Sequence, residues 1–350
     1  MADGNETFDR IMEHIRSGLT GQWDQDRAYL QGQMEAYKDH ELSKEIIRSC
    51  GRLMYELTPD DLRAELDQVL RGRDNEATET LNKVVHRMQT GDWAQALALI
   101  EPLAATCDDL IESGWCADDS QSRYFDFHSA TEEIVWRAHN SDQRTIRRAT
   151  DPFARIYATL GSCLVEARRY DEAIVACTKA IRWNPADVDA RFELGENFKA
   201  LCDYETYEHI LDELYPYVAT SADLAHYHRA MGYLRIEQGS FQVAAAHLVL
   251  SLVFDRSSYA VSELAYIKQE HGHDYTDMVP DEAIAILMES KAHVLIDEKT
   301  FQALVQTLGV SMQYQDYETS LSVAMELYNF TRDDTYKDLV HKLAETLGLN

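Results

Sequence analysis

Proline and basic charge are both scarce in this chain. It has six prolines in 350 residues, and 33 Lys and Arg against 61 Asp and Glu, for a net charge of −28. Few prolines leave long stretches free for regular structure, because a proline inside a helix removes a backbone donor and breaks the run. A field of this sign repels phosphate backbones and anionic lipid surfaces, which argues against nucleic acid and membrane as partners. It favours basic partners, and it also serves solubility. Cys50, Cys107, Cys116, Cys163, Cys177 and Cys202 never form a Cys-x-x-Cys pair, so neither a disulfide framework nor a zinc site is expected. No run approaches the ~18 consecutive apolar residues of a spanning helix. The opening MADGNETFDRIMEHIRSG lacks the basic-then-apolar order of a secretory leader, so a cytoplasmic protein with reduced thiols is expected. Runs of alternating β-branched residues are few. The phosphate-binding, dinucleotide, nucleophile-elbow and zincin motifs are all missing, so the expectation is a non-enzymatic protein with no cofactor and no metal.

What is present is helical periodicity. In the stretch YATLGSCLVEARRYDEAIVACTKAIRWNP from Tyr157 to Pro185, Tyr157, Leu160, Gly161 and Leu164 share one helical face. After the break at 167–170, Ala173, Cys177 and Ala180 give a second helix a small-residue side, and Pro185 ends it. Small residues facing Gly161 let two antiparallel helices approach closely. This unit resembles the tetratricopeptide repeat, with its Leu-Gly pair on the first helix, its Ala on the second and its closing Pro. Leu194-Gly195 follows Leu160-Gly161 by 34 residues, the period of that family. In this second unit Phe198 holds the family's Tyr position. Tyr207 stands where a small Ala is expected, so that hairpin is expected to splay. A third unit carries Met231-Gly232, with Gly239-Ser240-Phe241 in the turn and Ala244 and Leu248 on its second helix.

The resemblance implies an all-α, right-handed solenoid of helix hairpins, organised in four stretches. Residues 1–75 read as four helices, the fourth opened by Thr58 and Pro59, carrying Leu62, Leu66, Val69 and Leu70, and ended by a break at Gly72 to Asn75. Residues 76–150 hold a divergent repeat around Gly91-Asp92-Trp93 and an aromatic-rich insertion, 107–128, read as irregular. Ser129 and Glu132 then form a capping box, and Arg144, Arg147 and Arg148 make a basic spot. Residues 151–257 are the three clear units. Residues 258–350 end the chain with a degenerate repeat at Leu308-Gly309, its turn one residue short, and a capping helix.

Repeats of this kind hold partners on an extended concave surface, so the resemblance implies a scaffold or adaptor for a protein or peptide. Carried over position by position, the family's concave-face residues include Arg155 and Ser162 in the first unit. In the second they include Asp189, Phe192, Glu196 and Lys199, and in the third His226, Arg229 and Tyr233. Cations around Phe192 and Tyr233 suit an extended peptide with an apolar anchor and an acidic group. The basic clamp by which some family members hold acidic chaperone tails is missing, since its positions carry Ala158, Ser162, Glu193, His226 and Ala230. The alternative is an enzyme or metal-dependent protein built on helical hairpins. Its one candidate site is the turn His271-Gly272-His273-Asp274, where a loop could converge three ligands.

Overall fold

The computed structural model describes residues 2–349, and the side chains of all these except 2–7, 61 and 64–75. The chain divides into two compact units, Met1–Asp126 with Gln143–Ala167, and Phe127–Asp142 with Arg168–Asn350. It is all-α apart from one small ribbon. Among the described residues no helix is long and apolar enough to cross a membrane.

The first unit contains α1 (Ala2–Ser17), α2 (Trp23–Ala36), α3 (Ser43–Leu57), α4 (Asp60–Gln89), α5 (Trp93–Glu112) and α7 (Phe153–Glu166). Phe8, Met12 and Ile15 of α1 are buried with Leu30 of α2 and with Ile46 and Cys50 of α3. The break expected at Gly72 to Asn75 falls inside α4, whose backbone stays helical from Asp60 to Gln89. One glycine costs a helix only about 1 kcal/mol, and the far half of α4 is anchored by buried Leu81 and Val84 while the helix packs on α5 and α7. Thr58 closes α3, and Pro59 rather than Thr58 is the residue that precedes α4. Leu66, Val69 and Leu70 lie outside the described side chains.

The stretch 107–128 is more regular than its composition suggests. Its last part contains the strand β1 (Ser122–Phe125), which pairs in parallel with β2 (Thr145–Arg148), Ser122 opposite Thr145 and Phe125 opposite Arg148. The basic spot at Arg147 and Arg148 is thus part of a strand. Asp118 and Asp119 fix the approach to it: their carboxylates accept from the backbone N–H of Tyr124 at 2.9 Å and of Ser122 at 2.7 Å.

The second unit holds α6 (Ala130–His139), α8 (Tyr170–Trp183), α9 (Val188–Ala200), α10 (Tyr204–Leu214), α11 (Ser221–Glu237), α12 (Phe241–Phe254), α13 (Ser258–His271), α14 (Pro280–Glu289), α15 (Glu298–Gln313), α16 (Tyr317–Thr331) and α17 (Asp334–Thr346). Consecutive helices pair as α9 with α10, α11 with α12 and α15 with α16, and α8 packs on α9. The glycines of Leu194-Gly195 and Met231-Gly232 account for two of these contacts. A Cβ on Gly232 would lie 2.9 Å from Leu248, and a Cβ on Gly195 would lie 2.9 Å from the Tyr207 ring. The hairpin expected to splay is closed instead. Gly195 leaves the space that the missing Ala would have left, and Tyr207 fills it at 1% exposure. Gly161, on α7 in the first unit, is also buried.

One turn recurs. Gly91, Arg168, Cys202, Gly239 and Gln315 all have positive φ, between 58° and 74°. Each is followed by the residue that precedes the next helix and then by an aromatic, Trp93, Tyr170, Tyr204, Phe241 or Tyr317. Asp92, Asp203 and Asp316 cap those helices by accepting a backbone N–H three residues on. In the last of these hairpins the same turn begins one residue sooner after the Leu-Gly pair, which leaves Gly309 at the surface and Leu308 in the packed position.

Candidate functional site

Two helices present the residues expected on a concave face. Glu196 and Lys199 stand on α9 three residues apart, and His226, Arg229 and Tyr233 follow one face of α11. Together with Ala230 and with Tyr259 of α13 they line a cavity of about 220 Å³. Lys199 Nζ reaches Glu196 Oε2 at 3.0 Å and sits 4.3 Å from the Tyr233 ring centroid, a cation–π contact. Arg229 is tied to Asp255 at 3.1 Å, with 17% of its side chain exposed. Tyr204 meets Tyr233 edge-on at 6.4 Å.

His226 is the neutral member of the set. Burial comes first among the causes that push its pKa down to about 4, helped by the Arg229 and Lys199 cations and opposed by Asp189. At neutral pH the cavity therefore carries two cations, one carboxylate and an uncharged imidazole. Behind its wall the Tyr207 hydroxyl is buried with no hydrogen-bond partner among the described residues. Burial raises the pKa of that phenol, and the charge of Glu196 adds to the effect.

A second, larger hollow of about 350 Å³ is formed where the N-termini of α6, α9 and α11 meet the middle of α15 and α16. Its apolar lining comes from Val135, Val188, Tyr217, Leu304 and Val323, and its charge from Glu132, Asp187, Asp189, Asp223 and Glu326. The helix ends, which would otherwise attract anions, are occupied by the chain's own acceptors. Ser129 takes the N–H of Glu132 at 3.2 Å, Asp187 that of Ala190 at 3.0 Å and Thr220 that of Asp223 at 3.0 Å. Glu326 accepts from the Ser221 N–H at 2.7 Å. Burial raises the carboxyls of Asp187 and Asp189 and pushes Asp223 up to about 6, against the pull of its hydrogen bond to Thr220. A cationic group entering this hollow would be favoured, because it restores the stabilisation that burial removes from these carboxylates.

Five of the nine residues expected on that face, Glu196, Lys199, His226, Arg229 and Tyr233, thus share one cavity. Phe192 does not join them as an open anchor. It is 4% exposed, inside the core formed by α9, α10 and α11, and stacks under His226 with ring centroids 3.7 Å apart. The imidazole covers it. Arg155 and Ser162 stand on α7 in the first unit, Arg155 exposed and Ser162 bonded to the Ala158 carbonyl at 3.3 Å.

At the alternative site, His271 ends α13 and Gly272 turns with φ 73°. The imidazoles of His271 and His273 both stack on Phe241, at 4.2 and 5.4 Å, while Asp274 pairs with Lys268 at 2.6 Å and accepts from Thr276. Among the described residues no group of three His, Cys, Asp or Glu converges as a metal site.

Sequence reasoning found Asp189 and missed the rest of the acidic hollow, whose carboxylates come from four helices far apart in the chain. The capping pattern at Ser129, Asp187 and Thr220 was its only local trace. No protein-family model matches the chain, and no curated protein matches it.

Proposed function

We propose that the second unit is a tetratricopeptide-like binding module, non-enzymatic, which takes an extended segment of a partner protein along the face that α9 and α11 share. The observation that carries this reading is the clustering of Glu196, Lys199, His226, Arg229 and Tyr233, placed by the repeat register alone, around one cavity. The recurrent turn and the glycine contacts at Gly195 and Gly232 support the repeat register itself. In this reading the smaller cavity takes an acidic group of the segment, held by Arg229 and Lys199, with Tyr233 as the apolar wall. The acidic hollow, whose Asp189 acts by charge on His226 of the smaller cavity, takes a basic side chain. The partner segment therefore carries both signs of charge and lies in one direction only.

The test is an array of immobilised peptides of mixed sequence probed with the full-length protein, followed by fluorescence anisotropy on the best binders. Selected peptides should pair a Lys or Arg with an Asp or Glu at a fixed spacing. Arg229→Glu should weaken them by ~2–4 kcal/mol, as expected when one partner of a charge-assisted contact is reversed. Binders that ignore Arg229→Glu and Asp189→Lys alike would place the binding surface elsewhere.

A further inference from the structure

The first unit contains a cavity of different character. About 100 Å³ in volume, it lies between α1, α3 and the β1–β2 ribbon, over a floor of Phe8, Met12 and Leu53. That is several times the ~10–15 Å³ that one water needs. Three guanidiniums converge on it from three separate elements, Arg16 from α1, Arg52 from α3 and Arg147 from β2, in a chain whose net charge is −28. Two carboxylates, Glu56 and Asp119, share the lining.

The donors there outnumber the acceptors. Arg52 pairs with Asp119 through Nη2 and donates from Nη1 to Ser122 Oγ at 3.1 Å, but its Nε is buried with no acceptor among the described residues. Arg147 donates from Nε to the same Ser122 oxygen at 3.1 Å and from Nη2 to Glu56 at 3.0 Å. Ser122, 2% exposed, thus accepts from two guanidiniums, and its own hydroxyl hydrogen is left to donate. Ser49 lines the cavity at 7% exposure and brings another hydroxyl. Arg16 contributes a cation whose partner is the neutral amide of Gln121, at 3.1 Å. Buried donors without acceptors cost free energy, and a strut of ion pairs would have matched each guanidinium with a carboxylate.

We propose that this cavity binds a phosphoryl group. A tetrahedral oxyanion offers acceptors in three dimensions, which suits donors arriving from two helices and a strand, whereas a carboxylate offers them in one plane. The excess of one positive charge over the two carboxylates supplies the attraction. Free phosphate and a phosphomonoester present the same oxygens, so either source satisfies the same donors.

The experiment is isothermal titration of the full-length protein with inorganic phosphate, O-phosphoserine and acetate, each at ionic strength matched with chloride. Saturable binding of phosphate or phosphoserine is expected, and the tighter of the two identifies the source. Arg16→Gln and Arg147→Gln should each weaken it about tenfold or more, the loss of a charge-assisted contact, with melting temperatures close to that of the parent. Arg52 is left in place because its removal would strand Asp119, 3% exposed at its side chain. Arg229→Gln in the other unit should keep phosphate binding intact, which assigns the signal to this cavity. Heat no different from the chloride control, or binding unaffected by both Arg16→Gln and Arg147→Gln, would overturn the proposal. Acetate binding as tight as phosphate would overturn the phosphoryl assignment.

Discussion

At the scale of single residues, Phe192 and His226 divide the work of one aromatic stack. Phe192 is the lower ring, held in the core, and His226 is the upper ring, facing the cavity. Phe192→Ala should cost ~3–5 kcal/mol in urea denaturation, the usual range for removing a buried Phe. It should also let water reach the imidazole, so that the His226 pKa rises from about 4 towards its ordinary value in an NMR titration. Tyr233→Ala makes the contrast, because that ring is only half-buried. It should weaken peptide binding by ~1–3 kcal/mol and leave the denaturation midpoint nearly where it was. If Phe192→Ala left stability unchanged, the ring would not be a core member, and the division of roles would fall.

At the scale of helices, the glycines make the register visible. Gly195 faces the Tyr207 ring, which is locked at 1% exposure and has nowhere to move, so Gly195→Ala should overpack the hairpin by ~1–3 kcal/mol. Gly309 sits mid-helix in α15, and a methyl added there would meet nothing within 4 Å, so Gly309→Ala should stabilise by ~0.5–1 kcal/mol through helix propensity alone. Equal effects at the two positions in thermal melts would show that the register is misread. The same pair measures what was legible in the sequence. The spacing to each turn marked Gly195 and Gly232 as first-helix packing positions, although the Gly195 hairpin was expected to splay, and the missing residue before Gln315 marked the last hairpin as irregular. It did not reveal that Tyr207 would fit against a glycine, because complementarity between two odd residues leaves no periodicity. The ribbon was also illegible. Four-residue strands are too short to show alternation, and the partner of Ser122–Phe125 begins more than twenty positions later.

At the scale of the whole molecule, charge and buried histidine act in opposite directions on stability. Acidification removes negative charge from a chain at −28 and relieves the burial cost of Asp187, Asp189 and Asp223, whose raised pKa values make them easier to protonate folded than unfolded. These groups favour the fold as pH falls, Asp223 through about 6. Against them stands the interior pair His228 and His247. His228 donates from Nε2 to the Val294 carbonyl at 3.0 Å, so its Nδ1 must accept from His247 Nδ1, 2.9 Å away. His247 Nε2 is left as a bare acceptor with no partner among the described residues. Both rings are fully buried, and burial pushes His228 down to about 4 and His247 down as well. A depressed histidine leaves the fold at full stability above its unfolded value near 6.5, and that stability is lost as pH falls towards the folded value. His228 contributes a loss on the order of a few kcal/mol by pH 4, and His247 acts in the same direction, because the unfolded chain takes up protons that the native interior refuses. The histidines outweigh this relief, because both rings are fully buried while Asp189 is exposed and Asp223 only half-buried in an open hollow, where solvent screens their charge. Urea denaturation should therefore show stability falling between pH 6.5 and 4. His228→Leu with His247→Leu, which replaces the pair by apolar groups and removes the unmatched acceptor, should flatten that slope, and the residual curve should rise slightly as the aspartates protonate. A slope unchanged by the double substitution would move the acid sensitivity to other groups.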